Sequence, residues 1–215
     1  MNTKVKICGL RTPEALKAAL DAGADYIGLV FYEASPRNVS HADASVLAAM
    51  ARGKAKSVAL LVDPDDEAVK RITDEVNPDL IQLHGSESPQ RVMQISQLAQ
   101  RPVMKAIKVG SPDDVALSHA YDAADIILFD AKTPEAARDA LPGGNGVPFD
   151  WEAFARVRKS ANFMLSGGLD PDNVRLAIAT TGAPMVDVSS GVESAPGEKD
   201  AGLIRSFIAA AKASP

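Results

Sequence analysis

The sequence predicts a closed α/β barrel of eight parallel strands, and three observations carry the prediction. Eight short apolar runs rich in Val and Ile recur, beginning near Lys4, Asp25, Ser57, Asp79, Val103, Asp125, Asn162 and Met185. Each is followed by a Gly or polar turn and then by a stretch whose apolar residues recur at helical spacing. Successive starts lie 21 to 37 residues apart, which suits one strand and one helix with their loops. An open doubly wound sheet shares the alternation, but eight regular units favour closure. No low-complexity tract or linker interrupts residues 1–215, so a single domain is expected.

Taken in order, the elements carry their own signals. Val5 and Ile7 alternate with other residues, as do Val58, Leu60 and Val62, the pattern of a strand with one face inside the barrel and one against helices. Thr12 before Pro13, Asp63 before Pro64, Ser111 before Pro112 and Asp170 before Pro171 are helix-start pairs. Asp63, Asp65 and Asp66 are read as carboxylates at a helix start rather than as a metal cluster. Val69, Ile72 and Val76 share a helical face, as do Val92, Ile95 and Ala99, and Leu203, Phe207 and Ile208. The second and sixth units are long. The sixth contains LPGGNGVPFDW, Leu141 to Trp151, polar and Gly-rich enough to close over a ligand. Its glycines do not directly follow a strand and open a helix, so no Rossmann cofactor site is expected.

Composition removes several classes. One Cys permits no internal disulfide and no multi-Cys zinc site. The three His have no second ligand at a suitable interval, so no metal is expected. With 23 basic and 28 acidic side chains, formal charge −5, nothing resembles a nucleic-acid or anionic-membrane surface. The start MNTKVKICGL has no apolar run of signal-peptide length, and no window suggests a membrane span, so a cytoplasmic location is expected. The sequence leaves monomer and homodimer open, with the monomer favoured.

In such a barrel function sits at the C-terminal strand ends. There the sequence offers Cys8 with Gly9, Ser35 to Arg37, Asp63, His84, Lys108, Asp130, Ser166 to Gly168, and Asp187 to Gly191. SGGL and DVSSG follow the seventh and eighth runs, where backbone N–H groups and hydroxyls commonly hold a phosphate, so Gly167, Gly168, Ser189 and Ser190 form the candidate cradle. A phosphorylated small substrate follows from that. Asp130 ends the apolar run DIILFD, where burial would suit a proton donor; it is equally a helix or turn cap. Cys8 is a candidate base if cations or phosphate-site dipoles lower its pKa, and a small buried hydrophobe otherwise. Arg37 could grip a carboxylate with its planar fork, and His84 could hydrogen-bond a ligand.

The ordered segments KICG, SPRNV, QLHGSE, LFDAK, GGNGVPFDW, LSGGLDPDNV and DVSSGVES with GEKD, from Lys6 to Asp200, resemble the phosphoribosylanthranilate isomerase family. The resemblance implies an Amadori rearrangement in tryptophan biosynthesis on a barrel of this kind, with no metal or organic cofactor. It implies that Asp130 is the general acid, Cys8 the general base and Arg37 the holder of the anthranilate carboxylate. Gly167, Gly168, Ser189 and Ser190 would cradle phosphate, with His84 and Asp187 as secondary contacts. Two positions depart from the expected pattern: Asn145 where Thr or Ser is expected, and Ser166 where Ala is expected; neither is expected to touch the proton chemistry. A related isomerase of histidine biosynthesis would carry Asp at the first strand end, a bifunctional form would accept the larger histidine precursor, and a phosphate-ligand sensor would bind without turnover.

Overall fold

Strand β1 (Lys4–Cys8) pairs in parallel with β2 (Tyr26–Phe31) on one side and β8 (Met185–Val188) on the other, which closes the sheet. Between them stand β3 (Lys56–Leu61), β4 (Leu80–Leu83), β5 (Val103–Val109), β6 (Ile126–Ala131) and β7 (Phe163–Leu165). Every strand bonds its sequence neighbour, so the ring runs in chain order. The computed structural model describes residues 3–131 and 162–213. The segment Leu141 to Trp151, Asn145 included, lies outside the described residues. Each strand begins on, or one residue from, the position expected from its apolar run.

Side-chain alternation sorts these strands into two layers. Tyr26, Val58, Leu80, Met104, Leu128, Met164 and Met185 meet inside the barrel. Val5, Ile7, Ile27, Leu29, Ile81 and Val186 face outward against helices. A strand in a closed barrel is covered on both faces, so both sets are apolar, each buried side chain contributing about 1.5–3 kcal/mol relative to exposure. Among the inward positions, Lys6, Cys8, Gln82, His84, Asp130 and Asp187 break the apolar rule, and all are buried.

Helix α1 (Pro13–Asp21) starts as expected, with the Thr12 hydroxyl accepting from the Ala15 N–H at 3.2 Å. α2 (His41–Ala51) and α4 (Pro89–Ala99) are capped by Ser40 and Ser88. At α5 (Pro112–Ala116), Ser111 and Asp114 form a reciprocal capping box. α3 (Asp66–Glu75) is capped by Asp65, two residues after the expected Asp63. Asp63 instead has φ 45° and accepts from the Ser86 N–H at 2.7 Å, tying the loop after β3 to the loop after β4. Asp170 likewise opens a turn, accepting from the N–H groups of Asp172 and Asn173, and α6 (Val174–Thr181) begins after it. In α7 (Ala201–Lys212) the buried face is Ile204, Phe207, Ile208 and Ala211; Leu203 points outward, one residue off the expected stripe. Among the described residues, no helix is long and apolar enough to cross a membrane.

Candidate active site

The carboxyl ends of the strands surround an open cavity. Cys8, Arg37, His84, Asp130, Gly167, Gly168, Asp187, Ser189 and Ser190 all line it. Nine positions scattered over most of the chain therefore share one space, as closure of the ring requires. Val30, Leu60 and Val62 add an apolar wall beside Cys8.

Cys8 ends β1 and sits opposite Gly28 in the β1–β2 register. A Cβ on Gly28 would lie 2.8 Å from Cys8 Sγ and 3.2 Å from Lys6 Nζ, so the absent side chain is the space these two groups share. Lys6 is fully buried, and its ammonium donates to Asp187 Oδ1 at 2.9 Å across the closing β1–β8 seam. Asp187 Oδ2 accepts from the Ser166 hydroxyl at 3.2 Å. The Ser166 hydroxyl thus reaches the ion pair beside Cys8. Burial pushes the Cys8 thiol up; Lys6 and Lys199 pull it down without overcoming burial and Asp187. The expected fall is therefore not realised: cations are present, but desolvation of a thiolate outweighs them.

On the far side of the mouth, His84 Nε2 lies 3.2 Å from Asp130 Oδ2, and its Nδ1 lies 2.9 Å from the Gln82 amide nitrogen. Gln82 in β4 and His84 just past its end thereby hold the carboxyl group near the end of β6. Gln82 gave no signal in the sequence, since one amide in an apolar run is indistinguishable from a surface residue until the face it occupies is known.

Arg37 follows β2 in a tight loop in which the Asn38 side chain accepts from the Tyr32 N–H at 2.9 Å. Its stem lies flat over Gly9, where a Cβ would come within 2.7 Å of Arg37 Cδ; Gly9 has φ 81°, a conformation glycine adopts without strain. Its Nε and Nη2 are both taken by Glu193, which also accepts from Lys199 at 2.6 Å. Burial pulls Glu193 up, but the Arg37 bonds and the Lys199 charge outweigh it and hold the carboxyl below its usual range. Burial sets Lys199 below the usual lysine range despite the neighbouring Glu193. Glu193 opens β9 (Glu193–Ala195) and Lys199 closes β10 (Glu198–Lys199), an antiparallel pair after β8. Sequence reasoning missed Lys6, Glu193 and Lys199 as site residues, although KICG, VES and GEKD were in view.

The loops after β7 and β8, which carry Gly167, Gly168, Ser189 and Ser190, touch directly. Gly167 and Gly168 have φ 98° and 64°, and the Asn173 amide donates to the Gly168 carbonyl at 2.8 Å. A Cβ on Gly191 would lie 2.0 Å from the Leu169 carbonyl oxygen, so the β8 loop packs backbone to backbone on the β7 loop. Lys199 donates to the Ser189 carbonyl at 2.9 Å and lies 3.2 Å from its hydroxyl, which itself lies 3.2 Å from the Cys8 carbonyl. Hydroxyls, turn amides and a buried ammonium thus stand together at this end of the barrel.

Fold and site define the class: a (β/α)8-barrel enzyme with its working end at the strand C-termini. Comparison with known proteins narrows it. The profile of the N-(5'phosphoribosyl)anthranilate (PRA) isomerase family matches residues 5–210, and the chain belongs to that family. It is 47% identical over 213 residues to the N-(5'-phosphoribosyl)anthranilate isomerase of Parvibaculum lavamentivorans, covering 99% of both chains. The Brucella canis isomerase is 48% identical over 211 residues, covering 98% of this chain and 94% of that one. The crystal structure of the Thermotoga maritima isomerase superposes with a TM-score of 0.85 at 35% identity, covering 98% of each chain. A complex of phosphoribosyl anthranilate isomerase with reduced 1-(o-carboxyphenylamino)-1-deoxyribulose 5-phosphate superposes at 0.82 and 32% identity, again over 98% of each.

Proposed function

We propose that this chain isomerises N-(5-phosphoribosyl)anthranilate to 1-(2-carboxyphenylamino)-1-deoxyribulose 5-phosphate, an Amadori rearrangement of tryptophan biosynthesis, with Asp130 as acid and Cys8 as base. The observation that carries the reading is the placement of Cys8 and Asp130 three strands apart around one mouth, with Arg37 and the Gly168/Ser189 loops on the same cavity.

The chemistry is an internal transfer of hydrogen. Protonated Asp130 gives its proton to the furanose ring oxygen as the anilino nitrogen lone pair moves toward C1. The C1–O bond breaks and a protonated Schiff base forms. The Cys8 thiolate then removes the proton from C2, and the C2–H electrons form a C1–C2 double bond while the C=N pair returns to nitrogen. The resulting enolamine tautomerises: C1 gains a proton and the C2 hydroxyl loses one to become the ketone. Atoms and electrons balance with no outside oxidant or reductant.

The binding groups act at the substrate's two ends. The outer edge of the Arg37 guanidinium, left by the Glu193 fork, takes the anthranilate carboxylate. Gly167, Gly168, Ser189 and Ser190 take the phosphate, and its remote binding energy holds C1 and C2 between acid and base. His84 and Asp187 act by orienting Asp130 and Lys6. The test is turnover of freshly generated substrate, followed by loss of its fluorescence. Activity supports the reading, whereas binding of substrate or product without turnover overturns it in favour of a sensor.

A further inference from the structure

We propose that Lys6 is a positioning residue for the base: its buried ammonium, held by Asp187, stands beside Cys8 and stabilises the thiolate that takes the C2 proton. The proposal rests on the assignment of Cys8 as base. Three geometric facts carry it. Lys6 is entirely enclosed, yet a lysine in a barrel interior costs several kcal/mol unless a charge repays its desolvation. Its ion-pair partner, Asp187, arrives from the opposite end of the chain because β1 and β8 pair in a register that sets Lys6 against Asp187. The Lys6 ammonium and the Cys8 sulfur both border the point where a Gly28 side chain would begin, so that glycine leaves them facing each other.

A structural ion pair would need only Lys6 and Asp187. The arrangement here adds a third member, because Lys6 and Cys8 lie two residues apart on one strand and so point to the same side. Burial alone would depress Lys6, but Asp187 and Cys8 together hold it above the usual lysine range, so it stays charged while the thiol titrates. Other charged or titratable groups at this mouth are Lys199 from β10, Arg37 from the loop after β2, and the His84 and Asp130 pair across the cavity. Of these, Lys199 is committed to Glu193 and Ser189. Lys6 is the cation whose partner leaves it beside the sulfur. Ser166, donating to the other oxygen of Asp187, fixes that carboxylate's orientation.

Because Cys8 is the sole cysteine, its thiolate absorbance can be titrated directly in the intact protein, with Cys8→Ala subtracted as the blank. At the pH where half of wild-type Cys8 is ionised, Lys6→Met should show about a tenth of the full signal or less, since one neighbouring charge is worth about one pH unit or more. In Lys6→Met, kcat at neutral pH should fall about tenfold or more with KM changed much less, and Lys6→Arg, which keeps the charge, should restore part of it, a rescue that a purely structural role does not produce. A titration in folded Lys6→Met that matches the wild type overturns the proposal. If Lys6→Met does not fold, Lys6→Gln takes its place, and a Cys8 titration there that matches the wild type overturns the proposal instead. If the curve shifts as expected but Cys8→Ala keeps its turnover, the base assignment fails and the coupling stands as electrostatics alone.

Discussion

Arg37 meets Glu193 fork to fork, with Nε and Nη2 each 2.8 Å from one carboxylate oxygen. The planar arginine is therefore not a free loop side chain. It is set at a fixed angle by a residue on the far side of the chain, and Glu193 is in turn held by Lys199. Glu193→Gln removes the charge and one of the two acceptors. We expect KM to rise about tenfold or more, with kcat changed much less, because charge-assisted bonds are worth about 1.5–3 kcal/mol. Arg37→Ala should show the same split more strongly. An unchanged KM in Glu193→Gln would mean that the fork does not orient Arg37 for the substrate.

Cys8→Ala and Asp130→Asn should each lower kcat by about 10² to 10⁴ while the circular dichroism spectrum stays that of the wild type. Both side chains are small and at the cavity wall, so their loss leaves the outer core intact. Turnover within a few-fold of wild type in either variant removes that residue from its role.

The titration of the thiol follows from its burial. Cys8 is held above its ordinary value of 9.0, so the thiolate gains population as pH rises through the alkaline range. The thiolate absorbance of the wild type should therefore still be climbing at pH 9, a rise that Cys8→Ala should lack. A thiolate signal that levels off on the acidic side of neutrality would contradict it.

Gly191 ties the loop after β8 to the loop after β7. A methyl group there would sit 2.0 Å from the Leu169 carbonyl oxygen, so Gly191→Ala has to push one loop off the other. We expect a loss of about 1–3 kcal/mol in stability by denaturant titration. Competitive inhibition by inorganic phosphate should weaken in parallel. Inhibition of undiminished strength would show that the cradle does not need this contact.

How legible was this molecule beforehand? The strand starts were, because an apolar run with its flanking turn is a local property of the chain. Helix starts were legible where the cap is local too, as at Thr12 and Ser111. They failed at Asp63, whose carboxylate serves the Ser86 N–H from another loop, and at Asp170, whose turn postpones the helix. Leu203 and Ile204 are adjacent and both apolar, so only packing against the barrel decides which one is buried.

By itself, the sequence determined the eight-unit alternation, the class of the fold, and the positions that end each strand, among them Cys8, His84, Asp130, Gly168 and Ser189. These follow from short-range periodicity and from the rule that barrels work at their strand ends. Only the tertiary structure decided the partners: Lys6 with Asp187, 181 residues apart, and Arg37 with Glu193, 156 apart. Such pairs are created by ring closure, which sets the first strand beside the last and folds the β9–β10 pair back over the loop after β2. No local pattern encodes them, because the energy that selects them comes from desolvation and charge pairing that exist only once the barrel has closed.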